Sequence, residues 1–373
     1  MAVTDAPPIS YTELGKLYEH QLEAHGVGAV MLTHKWQPAD LLAPHSDIDV
    51  RVLLPAAPAD WEEWNHRLAA AHTTAVAREV SNRRLLEHPP GFAFTVAEVD
   101  DRLVSAPEVA TWSLISGSVR DFQRWKSRAQ MAPWCDVDER FYRGILQARL
   151  GGWYQLAEDS ADNVVADIKA YRRHCVAWHY AAPCWFAAAS LATRTRCPGK
   201  TAALTQWRPD GLDRYAEVFL RHNEEGPSAW PRSPRHLLRE AHIALEAAMR
   251  LVPSAGRPAD LDAATTRTAC AMAAGMLRVR VARWLYYLDP PPGVTTEYLI
   301  RREAKELRSA AQGLNAFAEH ASAPARRLTA RMAELIPTGP TTTESLRTTL
   351  LRWHQHKSTV QDFLSLTLSD LNP

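Results

Sequence analysis

Two periods of apolar residues organise the first hundred positions. From Tyr11 to His25, Leu14, Leu17, Tyr18 and Leu22 recur near helical spacing, and Thr12 is placed to cap the helix they predict. Ala29 to Leu32 then reads as a short strand, followed by a loop and a second strand over Asp47 to Leu54. Alternation puts Ile48, Val50 and Val52 on one face of that strand and Asp47 and Asp49 on the other. Pro55 and Pro58 end it. Asp60 can cap the next helix, with Trp61, Trp64, Leu68 and Ala71 on one side. After the His88-Pro89-Pro90-Gly91 turn, Phe92 to Asp100 (FAFTVAEVD) predicts a third strand beside the Asp47 strand. Pro107 to Asp121 reads as a helix stopped at Gly117.

From Asp136 onward the pattern is helical. Phe141 to Tyr154, Ala161 to Tyr180 and Pro183 to Thr193 predict helices, and Glu224 to Pro234 is the clearest linker. Leu261 to Leu288 reads as one long helix with an alanine-rich face and a basic face of Arg278, Arg280 and Arg283. Breaks at Val252 to Pro258 and Asp289 to Gly293 flank it, and Glu297 to His320 and Thr343 to Leu368 predict two more helices. The expected class is α+β: a small mixed sheet with flanking helices over residues 1–125, a helical domain over 126–250, and a C-terminal helical bundle over 251–373. At 373 residues the chain supports this many units. The helical tail offers a cleft or a homodimer face.

Charge narrows the partners. Lys and Arg total 43 against 42 Asp and Glu, a net charge of +1, so no electrostatic case for nucleic acid exists. The start, MAVTDAPPISYTEL, lacks a basic segment followed by an apolar one, and a cytoplasmic protein is expected. Cys175 to Ala192 is the most apolar long stretch; with His179 and Pro183 inside it, a buried helix is expected rather than a membrane span. Five scattered cysteines without a C-x-x-C pair predict neither a disulfide framework nor structural zinc.

The chemistry concentrates at Asp47 and Asp49. Two residues along a strand span about 6.6 Å, so both carboxylates can converge on one metal-bound polyphosphate. Ser46-Asp47-Ile48-Asp49, running into Val50, Val52, Leu53 and Leu54 after a strand and a loop, resembles the metal-binding strand of the nucleotidyltransferase superfamily. That superfamily includes antibiotic adenylyltransferases and DNA polymerase beta-type enzymes. The small Gly-Ser pair of the family is absent; Thr33-His34 or Lys35-Trp36 stands in its place.

The resemblance implies two Mg²⁺ (or Mn²⁺) ions with Asp47 and Asp49 as ligands, an NTP as co-substrate, and transfer of its NMP to a small-molecule acceptor such as an antibiotic or a biosynthetic intermediate. It further implies nucleotide contacts from Thr33, His34, Lys35 and Ser46, and a third carboxylate or general base supplied by Glu98 or Asp100. Cys197-Pro198-Gly199-Lys200 is similar to a proline–lysine turn in the helical domain of a bacterial nucleotidyltransferase group, which implies that Lys200 reaches the triphosphate. Lys169, Arg172 and Arg173 are alternative phosphate contacts, or a solvated face. Of the thirteen tryptophans, Trp36 is the one expected beside a base or an acceptor ring. Two rival readings keep the fold: a degenerate form used for binding or scaffolding, and a biosynthetic tailoring enzyme with changed chemistry.

Overall fold

The computed structural model describes residues 10–42, 46–78, 85–86, 91–150, 172–225, 234–254, 263–288, 322–336 and 342–365. The architecture is α+β, with one four-stranded sheet among many helices. Helix α1 (Tyr11–Ala24) buries Leu14, Tyr18 and Leu22 as its spacing predicts. Its cap is Ser10 rather than Thr12, because Ser10 and Glu13 close a reciprocal capping box.

Strands β1 (Met31–Lys35), β2 (Asp49–Leu54), β3 (Phe92–Thr95) and β4 (Trp112–Ser116) lie in the order β3-β2-β1-β4. β1 runs antiparallel to β2 and β4, and β3 is parallel to β2. Lys35 stands opposite Asp49 and Thr33 opposite Arg51. One face, through Val50, Val52 and Leu54, packs on α1 and on α2 (Trp61–Arg78). The other face, through Met31, Leu53, Phe94 and Trp112, is covered by α5 (Val119–Met131) with Phe122, Trp125 and Ala129.

Two local expectations are corrected here. The third strand stops at Thr95, because Thr95 caps helix α3 (Val96–Asp100) and Glu98 completes its capping box. The helix expected up to Gly117 is instead a short α4 (Ala106–Ala110) followed by β4. Long-range pairing of β4 with β1 outweighs the local helical pattern. Gly117, at φ 109°, leaves this strand so close to its neighbour that a Cβ would lie 2.8 Å from the Val30 carbonyl oxygen.

The middle of the chain builds a separate apolar cluster. Helices α6 (Asp136–Leu150), α7 (Arg172–Thr193), α8 (Lys200–Gln206), α9 (Asp213–Glu225) and α10 (Pro234–Met249) gather Tyr142, Trp178, Trp185, Phe186, Leu204, Phe219 and Leu245. α7 continues through Pro183 and is almost wholly buried from Trp178 to Leu191. Among the described residues no helix is long and apolar enough to cross a membrane.

The C-terminal helices do not keep a core of their own. α11 (Ala263–Arg278), α12 (Arg280–Leu288), α13 (Ala323–Glu334), α14 (Thr343–Gln355) and α15 (Lys357–Leu364) contribute Leu277, Trp284, Met332, Trp353 and Phe363 to the cluster that contains α1, α2 and β2. The single helix expected over 261–288 breaks between Arg278 and Arg280, and the one expected over 343–368 breaks at His356. The helix expected over 297–320 lies outside the described residues. Arg278, Arg280 and Arg283 form no solvated face; all three are buried.

Arg278 has a specific duty. Its Nη1 donates to Glu98 Oε2 at 2.6 Å, its Nε and Nη2 donate to the Leu364 carbonyl, and its guanidinium lies 5.0 Å from the Trp61 ring. It thus ties α11 to α3, α15 and α2. Removing one partner of a buried pair leaves the other charge uncompensated, at a cost of about 3–5 kcal/mol. Glu98→Ala is therefore expected to lower unfolding stability by that amount in urea titrations. A loss below about 1 kcal/mol would show that Leu364 alone satisfies Arg278.

Candidate functional site

The site lies where β1 ends and β2 begins. Asp47 and Asp49 are half-buried there, alternating with fully buried Ile48 and Val50. Ile48 is held by its N–H to the Leu85 carbonyl and by a bridge to Leu86. Ser46 braces the preceding loop: its Oγ accepts from Leu42 N at 2.8 Å and its carbonyl accepts from the Tyr11 hydroxyl at 2.9 Å. That role, rather than a free hydroxyl at the mouth, is what the geometry gives Ser46.

Side chains from β1 divide by alternation. Thr33 and Lys35 share the face of Asp49 and Arg51, whereas His34 follows Val50 to the opposite face. His34 is buried, its Nδ1 lies 3.3 Å from the Lys35 carbonyl, and burial lowers its pKa. Thr33 is fully buried, and among the described residues its Oγ1 has no hydrogen-bond partner. Of the three β1 residues expected to meet a nucleotide, Lys35 stands opposite Asp49, while His34 faces away yet still feels the charges of Asp49 and Asp40.

A carboxylate that sequence reasoning missed anchors this face. Glu108, on α4, is buried and bridges two cations: Arg51 at 2.7 Å and Lys35 at 3.3 Å. It also accepts from Trp112 Nε1. Burial pushes its carboxyl up, but Arg51, Lys35 and these hydrogen bonds together bring it down to about 2. Ser105-Ala106-Pro107-Glu108 reads locally as an ordinary helix start, with proline in the first turn and an acid after it, so nothing in the sequence marks Glu108 as a site residue.

The expected third carboxylates are elsewhere. Leu54 pairs with Thr95, so the strand end carrying α3 lies five residues along β2 from Asp49, about 17 Å away. Glu98 is engaged by Arg278 and by Thr95 N at 2.7 Å. Asp100 accepts from Arg124 at 3.0 Å and from Trp125 Nε1 at 2.8 Å. Neither joins Asp47 and Asp49. Beside Arg51 on β3 stands Phe92, with the guanidinium 4.6 Å from its ring centroid.

The helical region does deliver Lys200. Asp40, in the short 3-10 turn Pro38–Asp40, accepts from Thr201 N at 2.6 Å and from Gln37 N at 3.1 Å, which seats α8 against the loop after β1. Gly199 permits the approach, since a Cβ there would collide with the Asp40 carboxylate. Lys200 is consequently buried, with Nζ 4.9 Å from the Trp36 ring and 5.7 Å from the Trp178 ring. Burial lowers its amine to about 8; Asp40, Asp49 and Asp47 pull it upward and Arg149 pushes it down. Lys169 lies outside the described residues, as do the side chains of Arg172 and Arg173.

No protein-family model, curated protein or solved structure matches the chain. What the fold and site define is an α+β protein in which two carboxylates and a lysine lie at the ends of the two central strands, with a buried lysine from a helix more than a hundred residues away packed on the loop after β1.

Lys200 gives a signed pH effect. Its folded pKa of about 8 lies below the ordinary lysine value of 10.5, so between these the unfolded chain holds a proton that the native site does not. Stability therefore rises with pH across about 8 to 10.5, where the penalty for burying the charged amine is relieved. Lys126, also lowered to about 8 by burial, acts in the same direction. Lys200→Met is expected to raise the melting temperature at pH 7 and to flatten part of the rise above pH 8, leaving the share due to Lys126. An unchanged slope would show that Lys200 is not the buried charge responsible.

Proposed function

We propose that the Asp47–Asp49 mouth binds a nucleoside triphosphate with one Mg²⁺ (or Mn²⁺), and that the protein is a nucleotidyltransferase moving the NMP to a small-molecule acceptor. The observation that carries this reading is the seating of Lys200, a residue from a distant helix, buried against Trp36 and Trp178 beside the loop that leads to Asp47 and Asp49 and within reach of their fields. The order α1, β1, β2, α2, β3 in a mixed sheet agrees with the nucleotidyltransferase resemblance of Ser46 to Leu54.

Two carboxylates fit one Mg²⁺, which proteins hold through one or two carboxylates and complete with phosphate oxygens and water. The residues do not fit a second ion. Glu98 and Asp100 are engaged elsewhere and Glu108 serves Arg51 and Lys35. Among the described residues no group of three or more His, Cys, Asp or Glu gathers for a metal. When bound, the ion supplies charge neutralisation on the polyphosphate. Lys35 and Lys200 supply the remaining positive charge, from fixed positions, and the chain contributes mainly positioning and electrostatics. With no third carboxylate beside Asp47 and Asp49 among the described residues, the favoured acceptor is one already ionised, such as a phosphate monoester, rather than a neutral hydroxyl.

The engagement of Glu98 by Arg278 and of Asp100 by Trp125, away from Asp47 and Asp49, favours a second reading, a protein of this fold that binds nucleotide without transferring it. Calorimetry with NTP and Mg²⁺ tests the site. Asp47→Asn and Asp49→Asn are each expected to lose the metal-dependent part of binding, at least about tenfold in Kd, with melting temperature level or higher. Unchanged affinity in both variants would remove the metal role. Pyrophosphate release on adding phosphorylated acceptors separates the two readings: its absence with every NTP leaves the binding protein.

A further inference from the structure

Trp36 is held in an unusual charge environment. It follows β1, is half-buried, and meets Phe186 of α7 edge to face at 4.9 Å and 90°, which fixes the tilt of its ring against the helical region. Lys35 Nζ lies 4.8 Å from its centroid and Lys200 Nζ 4.9 Å. Lys35 also lies 4.8 Å from the Phe141 ring, and Lys200 is near Trp178. Two ammonium groups are thus gathered at one indole by aromatic faces.

The carboxylates around this pair have other duties: the fields of Asp40, Asp49 and Asp47 act on Lys200, but Asp47 and Asp49 are the proposed Mg²⁺ ligands. Glu108 reaches Lys35 but also serves Arg51, so one carboxylate faces two cations. Among the described residues Lys200 makes no direct ion pair, and Asp40 has one oxygen on Thr201 N and the other on Gln37 N. Buried ammonium without a counter-ion is costly, and the ring quadrupoles offset only part of that cost. An arriving anion would supply the rest. A single phosphate satisfies one such cation well; two cations held at one ring suit two linked phosphates. Side chains would then do what a Gly-Ser backbone does where that pair is present.

We propose that Trp36 is the positioning residue of a polyphosphate grip, holding Lys35 and Lys200 so that both engage one ligand with two adjacent phosphate groups, either pyrophosphate or the β and γ groups of a nucleotide. This rests on the nucleotide-binding reading above and names the part of the nucleotide that the lysines take. Trp36 does not stack on the base, because its ring is occupied by the two lysines and Phe186.

The test is calorimetric titration of the full-length protein with inorganic pyrophosphate and with inorganic phosphate, at constant Mg²⁺. The wild type is expected to prefer pyrophosphate by at least about tenfold. Trp36→Leu is expected to bring pyrophosphate down to the phosphate level, whereas Trp36→Phe, which keeps an aromatic face, retains most of the preference. A merely structural Trp36 would weaken both anions alike. If Trp36→Leu retains the wild-type preference, or the wild type has none, the proposal is overturned. Should Trp36→Leu not fold, Lys35→Met and Lys200→Met carry the test: each must reduce the preference, and its retention in either overturns the proposal. Failure here leaves the aspartate-dependent binding of nucleotide standing, while absent pyrophosphate release would remove transfer and leave this measurement intact.

Discussion

The candidate site depends on one buried carboxylate serving two cations. Arg51 is on β2 and Lys35 on β1, so without Glu108 the site face would carry two positive charges close together under protein cover. Because those cations keep Glu108 ionised despite its burial, α4 is drawn onto the sheet and β4 follows immediately. Trp112, the first residue of β4, donates to the same carboxylate, and Gln37 beyond β1 donates to the carbonyls of Thr111 and Trp112. The sheet edge, the loop after β1 and the start of β4 are therefore one electrostatic and hydrogen-bonded unit. The cation–anion balance of the mouth is set there before any ligand arrives.

Two further polar contacts carry this unit to the rest of the chain. Asp40 caps the backbone of α8 and so brings Lys200 in; Glu98 pairs with Arg278 and so brings in α11 and the C-terminal helices. In both cases an acid satisfies groups within its own segment while its other contact comes from far along the sequence. The apolar clusters follow the same division. One joins the sheet to residues 277–364, and another joins Leu42 to the helices of residues 142–252. The mouth at Asp47 and Asp49 is thereby framed on one side by the sheet and on another by α8, and Trp36 spans the two with its ring.

Much of this was determined by the sequence alone. The alternation of Ile48 to Leu54 gave a strand with its aspartates on one face, and the spacing of Leu14, Tyr18 and Leu22 gave α1. The apolar density of Cys175 to Ala192 gave a buried helix, because each signal is carried by neighbours in the chain and needs no partner to be read. The turn before Lys200 was also legible, but its seat against the loop after β1 depends on Asp40 meeting Thr201 N. The Thr95-Val96-Ala97-Glu98 capping box is equally local, and it overrides strand alternation to end β3 at Thr95. Only the tertiary structure decided the rest. Whether Glu98 faced Asp49 was a matter of strand register, and β2–β3 pairing sets that register through contacts between segments some forty residues apart. Arg278, Arg280 and Arg283 pattern as a solvated stripe until packing buries them. Glu108 looks like any acid in a first turn until two cations from other strands converge on it. A charge has no preferred partner in the chain itself; folding chooses the partner, and with it the chemistry that remains available at the mouth.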